Sequence, residues 1–201
     1  YITNTTPTIE FQVKDTDSGV NAGTIAVTVD GTVVSTVTKT AIDGGYKCTC
    51  TSPTLKDGSH TISVNASDND GNAAAAKTAT FTVDTVPPTL QIMAPSNGLI
   101  TNKKTVTVSG KTDDVSSKPV TVTVNGATVT VGTDGTFTKD VTLAEGANTI
   151  TIVAKDKAGK TTTVTRKVTV DTSAPVIKSV TLTPNPVDCG KTFIIAVEIT
   201  D

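Results

Sequence analysis

The residues with most to offer chemically are aspartates gathered in short polar loops. Asp15 and Asp17 stand in Asp15-Thr16-Asp17-Ser18-Gly19, and Asp68 and Asp70 in Asp68-Asn69-Asp70-Gly71-Asn72. Asp113, Asp114 and Asp156 recur further along the chain, and Asp84 lies in Val83-Asp84-Thr85-Val86-Pro87-Pro88. Carboxylates, amides and backbone carbonyls crowded in this way suit Ca²⁺, a hard cation that takes six to eight oxygen ligands. The same residue types also serve turns, because Asp, Asn and Gly bond their own backbone and tolerate left-handed conformations. These eight aspartates are the candidate calcium ligands, and no cofactor is required. A catalytic set is not legible. His60 is the single histidine, no Gly-x-Ser-x-Gly occurs, and no cysteine sits in a recognisable nucleophile context. His60 reads as a structural or solvent-facing residue, and the chain as a non-enzyme.

Three cysteines do not make a disulfide scaffold. Cys48 and Cys50 are two apart, so on a strand they share a face and are badly placed to bond each other. They read as core thiols, and Cys189 as a loop thiol. A net charge of −2 and an aromatic content of 3% without tryptophan argue against nucleic-acid binding, which wants basic surfaces and stacking platforms. The six aromatic residues are scattered singly and read as packing. No apolar run is long enough for a transmembrane helix, so membrane insertion is not expected. The chain opens on Tyr1 without a leader and reads as an interior or processed piece.

Positioning must come from strands. Residues 8–13 and 24–29 alternate apolar and polar side chains, the period of a half-buried strand. Asp30-Gly31 and Asn125-Gly126 each separate two such runs. These dipeptides suit a type I′ hairpin, which needs positive φ at both central residues. Further strands are expected at 45–51, 60–67, 77–84, 89–94, 120–124 and 127–131, with no helix longer than a turn; residues 73–76 are too short to nucleate one. A repeat organises them. Val83-Asp84-Thr85-x-x-Pro88 returns as Val170-Asp171-Thr172-x-x-Pro175, with the aspartates 87 residues apart. Residues 55–71 align without a gap against 143–159 on the skeleton Leu-x-x-Gly-x-x-Thr-Ile-x-x-x-Ala-x-Asp-x-x-Gly. Ile62, Val64 and Ala66 are therefore expected in one core, and Ile150, Ile152 and Ala154 in another.

The Leu-x-x-Gly-x-x-Thr-Ile strand, the Ala-x-Asp-x-x-Gly turn and the Asp-Thr-x-x-Pro junction together resemble the bacterial immunoglobulin-like domains found in tandem on surface and secreted proteins. The resemblance covers nearly the whole chain. It implies an all-β fold of tandem immunoglobulin-like Greek-key sandwiches with seven strands each. The expected division is residues 1–85, a domain lacking its first strand; 86–172, a complete domain; and 173–201, the first two strands of a third repeat, joined through residues 185–190. In such a sandwich the aspartate loops share one end, so a cation there would stiffen the joint as in calcium-bridged adhesive repeats. Neighbouring repeats are the expected partners, together with further copies of the chain through strand complementation. The expected function is a spacer or stalk in an extracellular bacterial protein. Two alternatives are a component of a bacteriophage virion and an accessory domain of a secreted polysaccharide-degrading enzyme.

Overall fold

The computed structural model describes residues 1–183, 189–190, 192 and 194–200, which hold strands and no helix. The first seven strands are β1 (Thr8–Lys14), β2 (Val20–Val29), β3 (Thr32–Val33), β4 (Thr38–Ile42), β5 (Gly45–Thr51), β6 (Gly58–Asp68) and β7 (Lys77–Val83). They form two sheets, ordered β1-β5-β4 and β3-β2-β6-β7. Asp30 and Gly31 have φ of 50° and 79°, and Asn125 and Gly126 have 48° and 79°, so both hairpins turn as their sequences require. In each, the first turn residue also caps the neighbouring strand. Thr61 N–H donates to Asp30 Oδ1 and Thr151 N–H to Asn125 Oδ1. β4 escapes the sequence pattern because Thr38-Lys39-Thr40-Ala41-Ile42 is an edge strand with no fully buried side chain. Its pairing with β5 defines it, and hydrophobic alternation does not.

The next eight strands are β8 (Thr89–Ala94), β9 (Leu99–Thr101), β10 (Thr105–Asp113), β11 (Thr121–Val124), β12 (Ala127–Val129), β13 (Thr136–Thr142), β14 (Gly146–Lys155) and β15 (Thr161–Val170). Their sheets run β13-β10-β8 and β12-β11-β14-β15-β9. Non-consecutive strands are neighbours, and two packed sheets enclose the core, as in an immunoglobulin-like sandwich. The strand count is eight, because the opening segment divides between the sheets. β8 pairs with β10, while β9 runs parallel to β15. The first sandwich keeps only the second of these pairings, as the parallel bridge between Ile2 and Val83. Asp84 N–H donates to Ile2 C=O just as Asp171 N–H donates to Thr101 C=O. Ile2 therefore stands where Thr101 does, one position away from the match of residues 1–4 with 99–102 that the letters suggest.

Among the described residues no strand takes the place of β8 beside β1, and the cores differ accordingly. Ile150, Ile152 and Ala154 are all 0% exposed at the centre of one continuous cluster. Their counterparts Ile62 and Val64 are only half-buried, and Ala66 is buried. The first core is also divided, around Val27, Val29 and Val83 on one side and Val20, Ile25 and Cys48 on the other. Cys48 and Cys50 are buried free thiols and Cys189 is an exposed one; burial raises the pKa of the first two and keeps them unreactive. At the far end β16 (Val176–Thr183) and β17 (Ile194–Thr200) form an antiparallel pair of their own. Most of the connection expected at residues 185–190 lies outside the described residues, as do Lys191 and Phe193.

Candidate functional site

Three aspartates from three separate segments meet where the first sandwich hands over to the second. Asp84 follows β7, Asp114 follows β10, and Asp156 opens the turn between β14 and β15. One carboxylate oxygen from each lies within 4.8 Å of the others. The residues are 0%, 5% and 5% exposed. Each is fixed by its own local fold. Asp84 is held to the first sandwich by its N–H on Ile2 C=O. Asp114 Oδ1 accepts from Ser116 N–H at 2.8 Å and Ser117 N–H at 2.7 Å, which folds the following loop under its own carboxylate. Asp156 Oδ1 accepts from Lys160 N–H at 2.9 Å, and Gly159 at φ 90° completes that turn.

The cluster is incomplete as a set of protein hydrogen bonds. Ser117 hydroxyl donates to Asp84 Oδ2 and Val86 N–H donates to Asp84 Oδ1. Asp156 Oδ2, by contrast, is buried with no partner. A buried carboxylate oxygen left unmatched beside two other carboxylates is costly. A hard cation there would offset the repulsion and give that oxygen a partner. All the donors present are oxygens, three carboxylates and the Ser117 hydroxyl, a set that fits Ca²⁺ better than a metal that wants nitrogen or sulfur. A cleft of about 360 Å³ is lined by two of the three, Asp84 and Asp114, together with Asp113, Val86 and Pro87.

The other candidate ligands stand outside the cluster. Asp113 is exposed and pairs with Lys118 at 2.7 Å, which holds its carboxyl below the usual range. Asp68, the counterpart of Asp156, accepts from both the N–H and the side-chain amide of Asn72, each at 2.8 Å. Asn72 thus fills in the first sandwich what Lys160 leaves open in the second, and these bonds hold the Asp68 carboxyl low. Asp15 Oδ2 accepts from Gly19 N–H and Ser18 hydroxyl. Asp17 and Asp70 are exposed and join no such cluster among the described residues.

Sequence reading missed three residues that build the two Asp-Thr junctions. Ser117 carries no motif; only the fold brings its hydroxyl to Asp84. Asp57 accepts from both Thr85 N–H and Thr85 hydroxyl at 3.0 and 2.9 Å. Glu145 does the same for Thr172, at 2.8 Å for each bond, and Thr172 holds its carboxyl low. The signal was present: Asp57 and Glu145 occupy one position of the repeat, an acidic residue before the glycine, matched to the threonine of each Asp-Thr junction. Within the second sandwich Lys157 N–H donates to Ser117 C=O, and across the joint the Lys157 ammonium stands 5.7 Å above the Tyr1 ring.

His60 is structural. Its ring is buried and donates Nδ1–H to Asp30 Oδ2 at 2.6 Å and Nε2–H to Lys56 C=O at 2.8 Å. Both partners are acceptors, so only the imidazolium satisfies both. The Asp30 hydrogen bond accordingly raises the His60 pKa and His60 lowers that of Asp30. A raised histidine pKa stabilises the fold at low pH and loses that contribution as pH rises through the folded value; the lowered Asp30 loses its own as pH falls below the ordinary carboxylate range. The first sandwich should therefore melt highest between roughly pH 4 and 6.5, and less stably above. In His60→Asn, matching Asn148, which donates to Ala144 C=O and Gly146 C=O, the alkaline decline should vanish. Melts of both proteins from pH 4 to 9 check this; parallel curves would refute it.

Known proteins resemble this chain in parts. Residues 1–85 match the family described as bacterial Ig-like domain. Residues 88–172 match the family described as glucodextranase, domain B. Bacillopeptidase F of Bacillus subtilis (strain 168) is 35% identical over 140 residues, which covers 70% of this chain and 9% of that protein. The chain thus spans under a tenth of that relative. Among solved structures, the I-band fragment I67–I69 of titin superposes with a TM-score of 0.51 at 13% identity, covering 87% of this chain and 63% of that one. A mutated variant of the same titin domains gives 0.50 at 12%, covering 89% and 64%. At such identities these neighbours speak for the fold alone. With both halves matched to such modules and both halves folded as sandwiches, the chain is a tandem of bacterial immunoglobulin-like β-sandwich domains.

Proposed function

We propose that this chain is a non-catalytic spacer of an extracellular bacterial protein, and that Ca²⁺ bound by Asp84, Asp114 and Asp156 stiffens its joint. The observation that carries the reading is the orphaned Asp156 Oδ2, buried beside two carboxylates that come from both sides of the joint. A cation there ties the end of β7 to two loops of the next sandwich, and in a linear array such junctions set the bending stiffness. Extracellular Ca²⁺ is abundant enough to fill sites of modest affinity. The absence of a recognisable nucleophile and base among the motifs supports the non-enzymatic part, and the bacterial Ig-like match supports the location. A second reading, accessory module of a secreted hydrolase, is favoured by the likeness to glucodextranase domain B and to Bacillopeptidase F. The two agree on what the module does and differ in what it carries.

Calorimetric titration tests the site. Ca²⁺ should bind with a stoichiometry of about one per chain, because only one such cluster exists among the described residues. Asp156→Asn should lose at least tenfold in affinity, while Asp113→Asn should bind as the parent does. Equal binding by Asp156→Asn, or no heat with the parent, would remove the site.

A further inference from the structure

The two sandwiches end one of their sheets on different strands, and a lysine follows the edge. In the first the sheet ends on β4, and in the second on β13, the counterpart of β5. Asp15 N–H donates to Gly44 C=O as Thr112 N–H does to Gly135 C=O, which aligns Gly45–Thr51 with Thr136–Thr142. Val34 and Val129 likewise correspond, opposite Val27 and Val122. The chain takes ten residues from Val34 to Gly44 and six from Val129 to Gly135, and the extra length makes β4. By this register Lys139 stands where Cys48 does. Cys48 is fully buried, and β4 sets Lys39 directly opposite it. Residues opposite one another share a face of the sheet, so Lys39 points inward; it is half-buried, and its ammonium donates to Ala22 C=O. Lys139 is half-buried on the core-facing side of β13, which it shares with Phe137 and Val141. Each sandwich thus carries an inward lysine on whichever strand is outermost.

The other edges of the second sandwich differ from this one. β9 and β12 are three residues each, and β8 is kinked where its register shifts and is followed by Pro95. β13 runs seven residues in unbroken register with β10. Gly135 C=O accepts from β10, whereas Thr136 C=O accepts from Gly132 N–H on the opposite side. Alternation then turns the backbone groups of Thr138 and Asp140 outward, a template for another strand. We propose that Lys39 and Lys139 keep these edges from pairing with a second copy of the chain, so that copies standing side by side remain separate. The lysine stem covers the core while the ammonium reaches water past the edge. An added strand would close over that ammonium, and among the described residues no carboxylate lies within ion-pair distance of Lys139 to compensate it. In the twofold pairing that sets Thr138 against Asp140 of the other copy, the two Lys139 side chains also stand opposite each other and repel. This inference does not rest on the calcium site.

Sedimentation of the full chain over a range of concentrations, with Ca²⁺ held saturating, provides the test. Lys139→Val should associate about tenfold or more tightly than the parent. Two controls should behave as the parent does. Lys139→Glu keeps an inward charge, and Lys167→Val loses the same charge from β15, which is flanked by β14 and β9. Thr138→Pro removes an outward N–H without touching the ladder to β10, so adding it to Lys139→Val should restore the parental behaviour. Hydrogen exchange locates the contact: the Thr138 and Asp140 amides should exchange fast in the parent and slowly in concentrated Lys139→Val. Lys39→Val should associate likewise through β4, and there Thr138→Pro should change nothing. A Lys139→Val or Lys39→Val protein that associates no more than the parent would overturn the proposal. So would equal association by either control, or association of Lys139→Val that survives Thr138→Pro.

Discussion

Stripping Ca²⁺ should lower the melting temperature of the second sandwich by roughly 10 to 20 °C. A ligand held at about a hundred times its dissociation constant stabilises the native state by about 2.7 kcal/mol. Each kcal/mol is worth about 4–8 °C in a domain of this size. The effect falls on that sandwich because Asp114 and Asp156 both belong to it and their loops are tied through Lys157 N–H and Ser117 C=O. Asp156→Asn should abolish the calcium response while leaving a folded protein, because the amide keeps the shape and its Oδ1 can still accept from Lys160 N–H. Asp113→Asn should retain the response within about 2 °C, since its carboxylate faces Lys118 and solvent. Calorimetric melts with and without chelator check all three. A chelator-insensitive second transition would refute the binding site.

Ile152→Ala should be the most damaging single change in the core. Ile152 is fully buried, pairs with Val124 on one side and Val164 on the other, and sits in the cluster with Val108, Val122 and Phe137. Truncation of a buried isoleucine costs about 2–5 kcal/mol, the transfer of the lost methyl groups plus the cavity left behind. Against a total of about 5–15 kcal/mol for a domain, the second transition should drop by roughly 10–30 °C. The first sandwich has separate clusters around Val27 and Cys48, so its transition should move by only a few degrees. The equivalent Ile62→Ala should cost less, because Ile62 is half-buried and lines an open groove. Differential scanning calorimetry of the two variants distinguishes these outcomes. A concerted loss of both transitions in Ile152→Ala would contradict independent cores.

How much was legible follows from how local each feature is. The hairpin turns at Asp30-Gly31 and Asn125-Gly126 were readable because two adjacent residues dictate positive φ. The inward faces of β6 and β14 were readable because alternation is a property of a single strand. β4 was not, since an exposed edge strand needs no apolar pattern. The one-residue offset of Ile2 was hidden because a parallel bridge of a single pair leaves no periodic trace. At the site, the aspartates announced themselves as a group of eight. What selected three of them was invisible locally: Asn72 satisfies Asp68 where Lys160 leaves Asp156 open, Lys118 draws Asp113 outward, and Ser117 reaches Asp84 across 33 residues. The joint depends on pairings between segments, and single-sequence reading sees segments.

The stiffness of that joint can be measured directly. Spin labels on cysteines introduced at the exposed positions Thr61 and Thr138, one in each sandwich, report the distance between the two bodies. Cys189 is replaced by serine because it is exposed, whereas Cys48 and Cys50 are buried. With saturating Ca²⁺ a single narrow distance distribution is expected, broadening severalfold on chelation and staying broad in Asp156→Asn at any calcium concentration. Distributions of equal width with and without Ca²⁺ would contradict the account of the joint.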